Sequence, residues 1–294
     1  MSDFSIRGAV FPARAVESGL YVVATPIGNL GDVTIRALDT LASVQMIAAE
    51  DTRVSGKLLN HYGITTRMIS YTEHNAAVAG EKILAIVRNG GTAALISDAG
   101  TPLVSDPGQR LVAQARAEGL PVWPVPGASA PVAALSASGF PSDTFLFGGF
   151  LPVKDGARRA RLKSLGNVDA TLIFFESPNR IDKALAAIAA EYGVERKVAV
   201  CREITKLHEE QVSGTAGELA AAYAGRTVKG EIVLLVAPPD AEAATDPYVL
   251  LTELLQDMTV SQAAAEAARM TGLPRRMLYS RALALSGNAG HDEN

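Results

Sequence analysis

The residues able to do chemistry sit in polar breaks that follow apolar runs. The longest break, "SDAGTPLVSDPG" (97–108), comes directly after "GGTAALI" and sets two aspartates among glycines and prolines. Glycine admits backbone angles that other residues avoid, and proline fixes a turn while removing a donor. The amides of Asp98, Ala99 and Gly100 are therefore expected to face outward as a nest for an anionic group such as a carboxylate. "ATPIGNLGD" (24–32), "AEDTR" (49–53) and "VPGASAP" (125–131) are shorter breaks of the same kind. Singly, each reads as a plain β–α turn; four along one sheet edge make a cleft. Loops as long as the first are uncommon in compact domains unless they are functional.

Titratable candidates come from two segments. "CREITKLHEEQ" (201–211) places Lys206 among Glu203, Glu209 and Glu210, and "AEDTR" offers Asp51 and Arg53 at the end of a strand. A lysine base needs a pKa depressed by burial or by a cationic neighbour, and flanking carboxylates push the other way. Lys206 is thus a candidate either as a base or as a charge that steadies a phosphate or oxyanion. Glu209 and Glu210 read as solvated. The single cysteine, Cys201, lies in the strand-like "KVAVCRE" as a small buried hydrophobe, and the four histidines lack metal-ligand spacing. Neither G-x-G-x-x-G nor a Walker sequence is present, which removes the usual support for dinucleotide and nucleoside-triphosphate readings.

Strands alternate with helices up to about residue 138, which predicts a parallel sheet covered on both faces. "VTIRALDTLASV" (33–44) sets Ile35, Leu38 and Leu41 at helical spacing. After "SGFPSD" (138–143) consecutive strands appear without helices between them, so antiparallel pairing is expected. The division read from the chain is a flexible tail (1–18), an N-terminal α/β domain (19–139) and a C-terminal α/β domain (140–238). A polar, proline-rich linker (239–247) then leads to a helical, helix-turn-helix-like module (248–288). With 294 residues, 48% hydrophobic, and a net charge of −4, no global field draws the chain to nucleic acid or membrane. No signal-peptide core or membrane-length run is apparent, so a cytoplasmic protein is expected.

An anionic partner must then meet local patches. "VKDGARRARLKSLG" (153–166) holds Lys154, Arg158, Arg159, Arg161 and Lys163, and "ARMTGLPRRMLYSRAL" adds Arg269, Arg275, Arg276 and Arg281. Such runs are commonly solvated helix faces. Two of them flanking a cleft suit a site that reads an RNA backbone.

"TPIGNLGD", "AEDTR", "SDAGTPLVSDPG", "PGASA", "FFESPNR" and "KGEIVLLV" occur in the order seen in the tetrapyrrole methylase superfamily. Over roughly residues 20 to 290 the chain resembles the RsmI-type branch, which adds a 2′-O-methyl group to a cytidine of small-subunit ribosomal RNA. It departs at "YTEHN" (71–75), where members more often carry a further histidine or aspartate near Thr72, so that loop is assigned no catalytic part. The resemblance implies two α/β domains with S-adenosylmethionine in the cleft between them. Asp98, Ala99 and Gly100 would hold its carboxylate and Leu103 would pack against it. Ser129 and Ala130 would let the chain approach the adenosine, while Pro26 and Gly28 shape the opposite wall. Phe175 and Gly230 would close over the adenine. A ribose hydroxyl is a poor nucleophile, and Lys206, Asp51 and Arg53 are the candidates to serve it. Lys154, Arg158, Arg159, Arg161, Arg275 and Arg276 are the candidate RNA contacts, and the resemblance implies a homodimer acting on ribosomal RNA within the small subunit. A tetrapyrrole C-methyltransferase on the same scaffold is one alternative, and a non-enzymatic nucleic-acid binder is another.

Overall fold

The computed structural model describes residues 2–239, 247–271 and 273–288. Its first elements correct the expected tail. Strands β1 (Asp3–Ile6) and β2 (Ala9–Pro12) form an antiparallel hairpin. The chain turns at Arg7 and Gly8, both at positive φ (51° and 85°), as the right-handed twist of a two-residue hairpin requires. Phe4 is buried in the cluster that includes Leu58 and Tyr62, and the Ser5 amide donates to the Tyr62 carbonyl at 2.7 Å. Phe4→Ala is expected to lower stability by about 3 kcal/mol, the usual loss for a buried phenylalanine. A urea midpoint equal to wild type would return the segment to the status of a tail.

The first large sheet is built from β3 (Gly19–Val23), β4 (Met46–Ala49), β5 (Met68–Ser70), β6 (Thr92–Ile96) and β7 (Val122–Val125). Its order is β5-β4-β6-β3-β7 and every pairing is parallel. Helices α1 (Ile35–Ser43) and α2 (Thr52–His61) cover one face, where Leu38, Leu41 and Leu59 meet Val23, Ile47 and Ile96. Helices α3 (Ala76–Arg88) and α4 (Gln109–Ala117) cover the other, with Ile83, Leu84 and Leu111 against Leu20, Ala93 and Leu95. Ile35, expected on the buried stripe of α1, is exposed at the first helical turn, which Thr34 caps by accepting from the Ala37 amide at 3.1 Å. From β3 the chain leaves toward α1, and from its neighbour β6 it leaves toward α4. Adjacent strands whose exits part to opposite faces open a crevice at their carboxyl ends. That crevice lies between the breaks at 24–32 and 97–108.

The second sheet contains β8 (Phe145–Phe150), β9 (Thr171–Glu176), β10 (Lys197–Arg202), β11 (Glu210–Thr215) and β12 (Ile232–Val236). The order is β11-β10-β12-β9-β8, antiparallel except for β8 with β9. One face packs on α6 (Asp155–Leu165), α7 (Ile181–Tyr192) and α8 (Ala216–Tyr223). On the other face, Ile173, Ala199, Cys201 and Leu235 pack against Ala134 and Leu135 of α5 (Ala130–Ser138). By packing, therefore, α5 goes with the second sheet, although it precedes the boundary expected near residue 139.

Both sheets lie within one compact unit, residues 1–237, and Pro238–Asn294 form a second. Most of the expected linker, 240–246, lies outside the described residues. The second unit holds α9 (Pro247–Asp257), α10 (Val260–Thr271) and α11 (Arg275–Asn288). Its core joins Leu251 and Leu278 to Ala263, Ala264, Ala267 and Ala282, small residues that let helices approach closely.

Candidate active site

At the crevice the two loops are tied together. The Thr25 amide donates to the Gly100 carbonyl at 2.9 Å, and the Gly100 amide donates to the Thr25 carbonyl at 3.0 Å. The Thr25 hydroxyl adds a bond to the Ser97 carbonyl at 3.2 Å. The expected nest thus loses its third donor, because the Gly100 amide is spent on this bridge. Gly100 itself stands at φ +85°, where a side chain is strained. Leu103 and Ser105 reach φ +74° and +67° without being glycines, the kind of local strain that gathers at functional sites. Leu103 does not face the cleft as expected; it packs on the core beneath, with α3 and α4, and Ser105 takes the cleft position.

Between the loops and the second sheet lies a cleft of about 460 Å³. Its apolar walls include Ile27, Ala130, Phe150, Phe175, Ile204 and Val233, and Gly230 lines it as well. A Cβ at Gly230 would sit 2.5 Å from the Glu203 side chain, so only glycine leaves that approach open. Ser129 and Ala130 open α5 and share a small pocket with Ala99 and Gly100.

The polar lining is acidic: Glu50, Asp98, Asp106, Glu176 and Glu231. Burial pushes the Asp106 carboxyl up, against a hydrogen bond with Ser97, and nearby Asp98 adds to the rise. Burial also raises Glu50, helped by the charges of Asp106, Asp98 and Asp51. Glu176 is raised by burial too, although it accepts from the Ser177 amide at 2.6 Å and pairs with Arg180 at 2.7 Å. Sequence reasoning missed Glu50, Asp106 and Glu176 as cleft residues, although each lies inside one of the quoted motifs.

Pro26 and Gly28 border a second, smaller pocket that adjoins the cleft and reaches Lys206. Lys206 donates to Glu203 at 2.9 Å and to Glu231 at 3.0 Å. Burial pulls its pKa down, but the bonds to the two carboxylates outweigh it and hold the ammonium above the ordinary lysine value. The two carboxylates thus hold Lys206 as a cation. Asp51 caps α2, accepting from the Arg53 amide at 2.8 Å and pairing with the Arg53 guanidinium at 2.7 Å. Those bonds to Arg53 lower its pKa to about 2. Asp51 and Arg53 lie outside the lining of both pockets, and a carboxylate so held is a poor proton acceptor. The structure places them at the start of α2 as a cap and its ion-pair partner, apart from the cleft.

Among the expected RNA contacts, Arg158 is 3% exposed and pairs with Asp155 at 2.5 Å, so it stabilises α6 and is not offered to a ligand. Arg159 is shared between Asp155 and Glu191. Lys154, Arg161 and Lys163 are exposed along α6. In the second unit Arg275 and Arg276 are exposed at the start of α11, with Arg275 donating to the Ser261 hydroxyl at 3.1 Å.

Two open α/β sheets share one switch-point cleft, and comparison with known proteins identifies the class of scaffold. Residues 19–220 match the family of tetrapyrrole (corrin/porphyrin) methylases, and residues 241–286 match the RsmI C-terminal HTH domain. Among solved structures, cobalt precorrin-4 methyltransferase superposes with a TM-score of 0.57 at 19% identity, covering 74% of this chain and 94% of that one. Diphthine synthase does so at 0.57 and 13% identity, covering 74% and 89%. At such identities the likeness is one of fold. Ribosomal RNA small subunit methyltransferase I of Mesorhizobium japonicum is 54% identical over 285 residues, 96% of this chain and 97% of its relative. The protein of that name from Escherichia coli O157:H7 is 43% identical, over 91% and 96%. The chain belongs to the tetrapyrrole methylase family, in the branch formed by the ribosomal RNA small subunit methyltransferase I proteins. The resemblance carried by the loop motifs is thereby borne out, together with the α/β fold and its C-terminal helical module.

Proposed function

We propose that this chain transfers a methyl group from S-adenosylmethionine to the 2′-hydroxyl of a cytidine in small-subunit ribosomal RNA. The observation that carries the reading is the cleft itself, with apolar walls at Ile27 and Phe175 and carboxylates at Glu50, Asp98 and Asp106. That lining fits a ligand that combines an adenine ring with two positive centres, an ammonium and a sulfonium. When bound, the cofactor supplies an electrophilic methyl group. The protein's part is alignment and exclusion of water, worth up to ~7–11 kcal/mol when the geometry is good. The choice of a cytidine ribose, of the assembled subunit and of a homodimer rests on the motif resemblance. Exposed Lys154, Arg161, Lys163, Arg275 and Arg276 supply the phosphate contacts. Among the described residues no helix is long and apolar enough to cross a membrane.

A tetrapyrrole acceptor leaves the C-terminal helices without a task, and a non-enzymatic binder leaves the cleft without one. The deciding experiment is methylation, with labelled cofactor, of small ribosomal subunits from a strain lacking the gene, followed by nucleoside analysis. A label on a base, or none on RNA, overturns the reading.

The acidic lining also predicts a pH dependence. Asp106 and Glu50 are raised above the carboxylate range near pH ~4, and only their charged forms attract the cofactor's ammonium. Affinity is therefore expected to fall as pH drops through their raised values, with protons released on binding in that window. For the ligand-free protein the sign reverses: raised carboxyls contribute stability below their unfolded pKa, and it is lost as pH rises through the folded values. Calorimetry across that window in two buffers of different ionisation heat checks this. No proton release would take these carboxyls out of the site.

A further inference from the structure

We propose that the smaller pocket beside the cleft receives the acceptor nucleotide, turned out of its RNA stack, an inference that rests on the methyl-transfer reading. The pocket measures about 240 Å³ and shares Ile27, Asp98, Ala99 and Glu231 with the cofactor cleft. The two pockets adjoin along these residues, so an acceptor seated in the smaller one can meet a methyl group presented from the cleft. Its volume suits a single sugar and base and is too small for a second cofactor-sized ligand.

The chemistry of the pocket points the same way. Ser55 lines it, is 4% exposed, and its hydroxyl has no hydrogen-bond partner. A serine inside a helix ordinarily bonds back to the carbonyl four residues earlier, and a buried hydroxyl left unpaired is costly unless a ligand completes it. Exposed Lys57 lines the same pocket, where a nucleotide's phosphate can meet it, while the Lys206 ammonium beside it is already paired with Glu203 and Glu231.

The turn that presents Lys206 supplies the remaining piece. Glu203 and Thr205 stand at φ +52° and +68°, strained positions for residues other than glycine. The turn is held by the Thr205 amide donating to Glu209 at 2.8 Å, and it is joined to the N-terminal sheet by the Asn29 amide donating to the Thr205 hydroxyl at 3.2 Å. Next to Lys206, Leu207 is 92% exposed. An apolar side chain held out beside a nucleotide pocket fills the gap that an extruded base leaves in its stack. In the reaction the ribose O2′ forms a bond to the methyl carbon and the carbon–sulfur bond breaks, its electron pair returning to sulfur. The hydroxyl proton passes to the Asp98 carboxylate, which borders both pockets.

A thiol footprint tests the assignment. Val54 borders the pocket and is 39% exposed, while the native Cys201 is buried, its thiol pushed up to about 11 by that burial and by Glu209. Val54→Cys thus creates a single reactive thiol for a methanethiosulfonate reagent. Unmethylated small subunits at ~10 times their Kd are expected to slow labelling about tenfold by mass action, whereas S-adenosylhomocysteine alone leaves it near the free rate. Protection by S-adenosylhomocysteine alone, or none from subunits, overturns the assignment. Ser55→Leu fills the pocket and is expected to lower methylation about 100-fold, as misplacement of an acceptor does, with S-adenosylhomocysteine affinity retained. Unchanged methylation, or lost S-adenosylhomocysteine binding at a wild-type melting temperature, also overturns it. Wild-type protein that methylates no ribosomal RNA instead sinks the reading on which the pocket rests.

Discussion

Gly100→Val is expected to abolish cofactor binding and to leave the protein folded. A β-branched residue at φ +85° is a backbone outlier, and its Cβ would stand 3.2 Å from the Ile27 side chain. Strain of this kind amounts to ~1–3 kcal/mol. The loop relieves it by leaving Thr25, which breaks the paired bonds of 2.9 and 3.0 Å that hold the crevice together. Both walls of the cleft then move, the one at Thr25–Gly28 and the one at Asp98–Thr101. A loss above ~2.7 kcal/mol in binding is a rise of more than ~100-fold in Kd. The same strain lowers the melting temperature by only several degrees in a unit of this size. Calorimetry with S-adenosylmethionine on the folded variant decides it, and wild-type affinity would remove the loop from the site.

Lys206→Ala is expected to reduce turnover by about 10²–10³-fold, the usual penalty for losing a donor aimed at developing charge. Cofactor affinity changes little, because the Lys206 side chain lies in the adjoining pocket and outside the lining of the main cleft. Removing the cation also leaves Glu203 and Glu231 without the partner that now bridges them at 2.9 and 3.0 Å. Since those carboxylates hold Lys206 protonated through the neutral range, the surviving activity keeps the wild-type pH profile. Lys206→Arg, which restores the charge, recovers part of the rate. Equal turnover in the alanine variant ends the assignment, and a lost pH dependence would make the lysine a base after all.

The alternation of strands and helices was enough to read the parallel sheet, and the run of strands after residue 143 was enough to read the antiparallel one. Both follow from apolar periodicity, a local property. Residues whose fate depends on distant partners were harder. The Gly100 amide meets a carbonyl 75 positions earlier, and no turn chemistry announces that. Phe4 looks like part of a tail until Tyr62 is placed beside it. Other signals were present and read for the wrong purpose. Arg158, Leu162 and Leu165 share one helical stripe, and all three are buried, so the arginine belonged to a core-facing row. Asp51 directly precedes a helix, the position where an aspartate serves as cap. The raised carboxyls at Glu50 and Asp106 arise from burial in a cleft between two sheets, which one-dimensional spacing does not encode.

The place of β3 at the heart of its sheet has a consequence for how the chain is made. Its register runs Gly19 against Thr92 and Leu20 against Val122, so the first strand of the sheet to be synthesised finds neither neighbour until much later. A ribosome adding ~5–20 residues per second leaves β3 unpaired for several seconds, and contacts of such long range form slowly in any case. Until β6 has emerged, the apolar "LYVV" has nothing of its own sheet on either side, and the β7 side stays open until Val125 follows. The three terminal helices face the opposite situation, since their contacts are with near neighbours and they can pack soon after the last of them is released. The nascent N-terminal half is thus the stretch that stays open longest during synthesis.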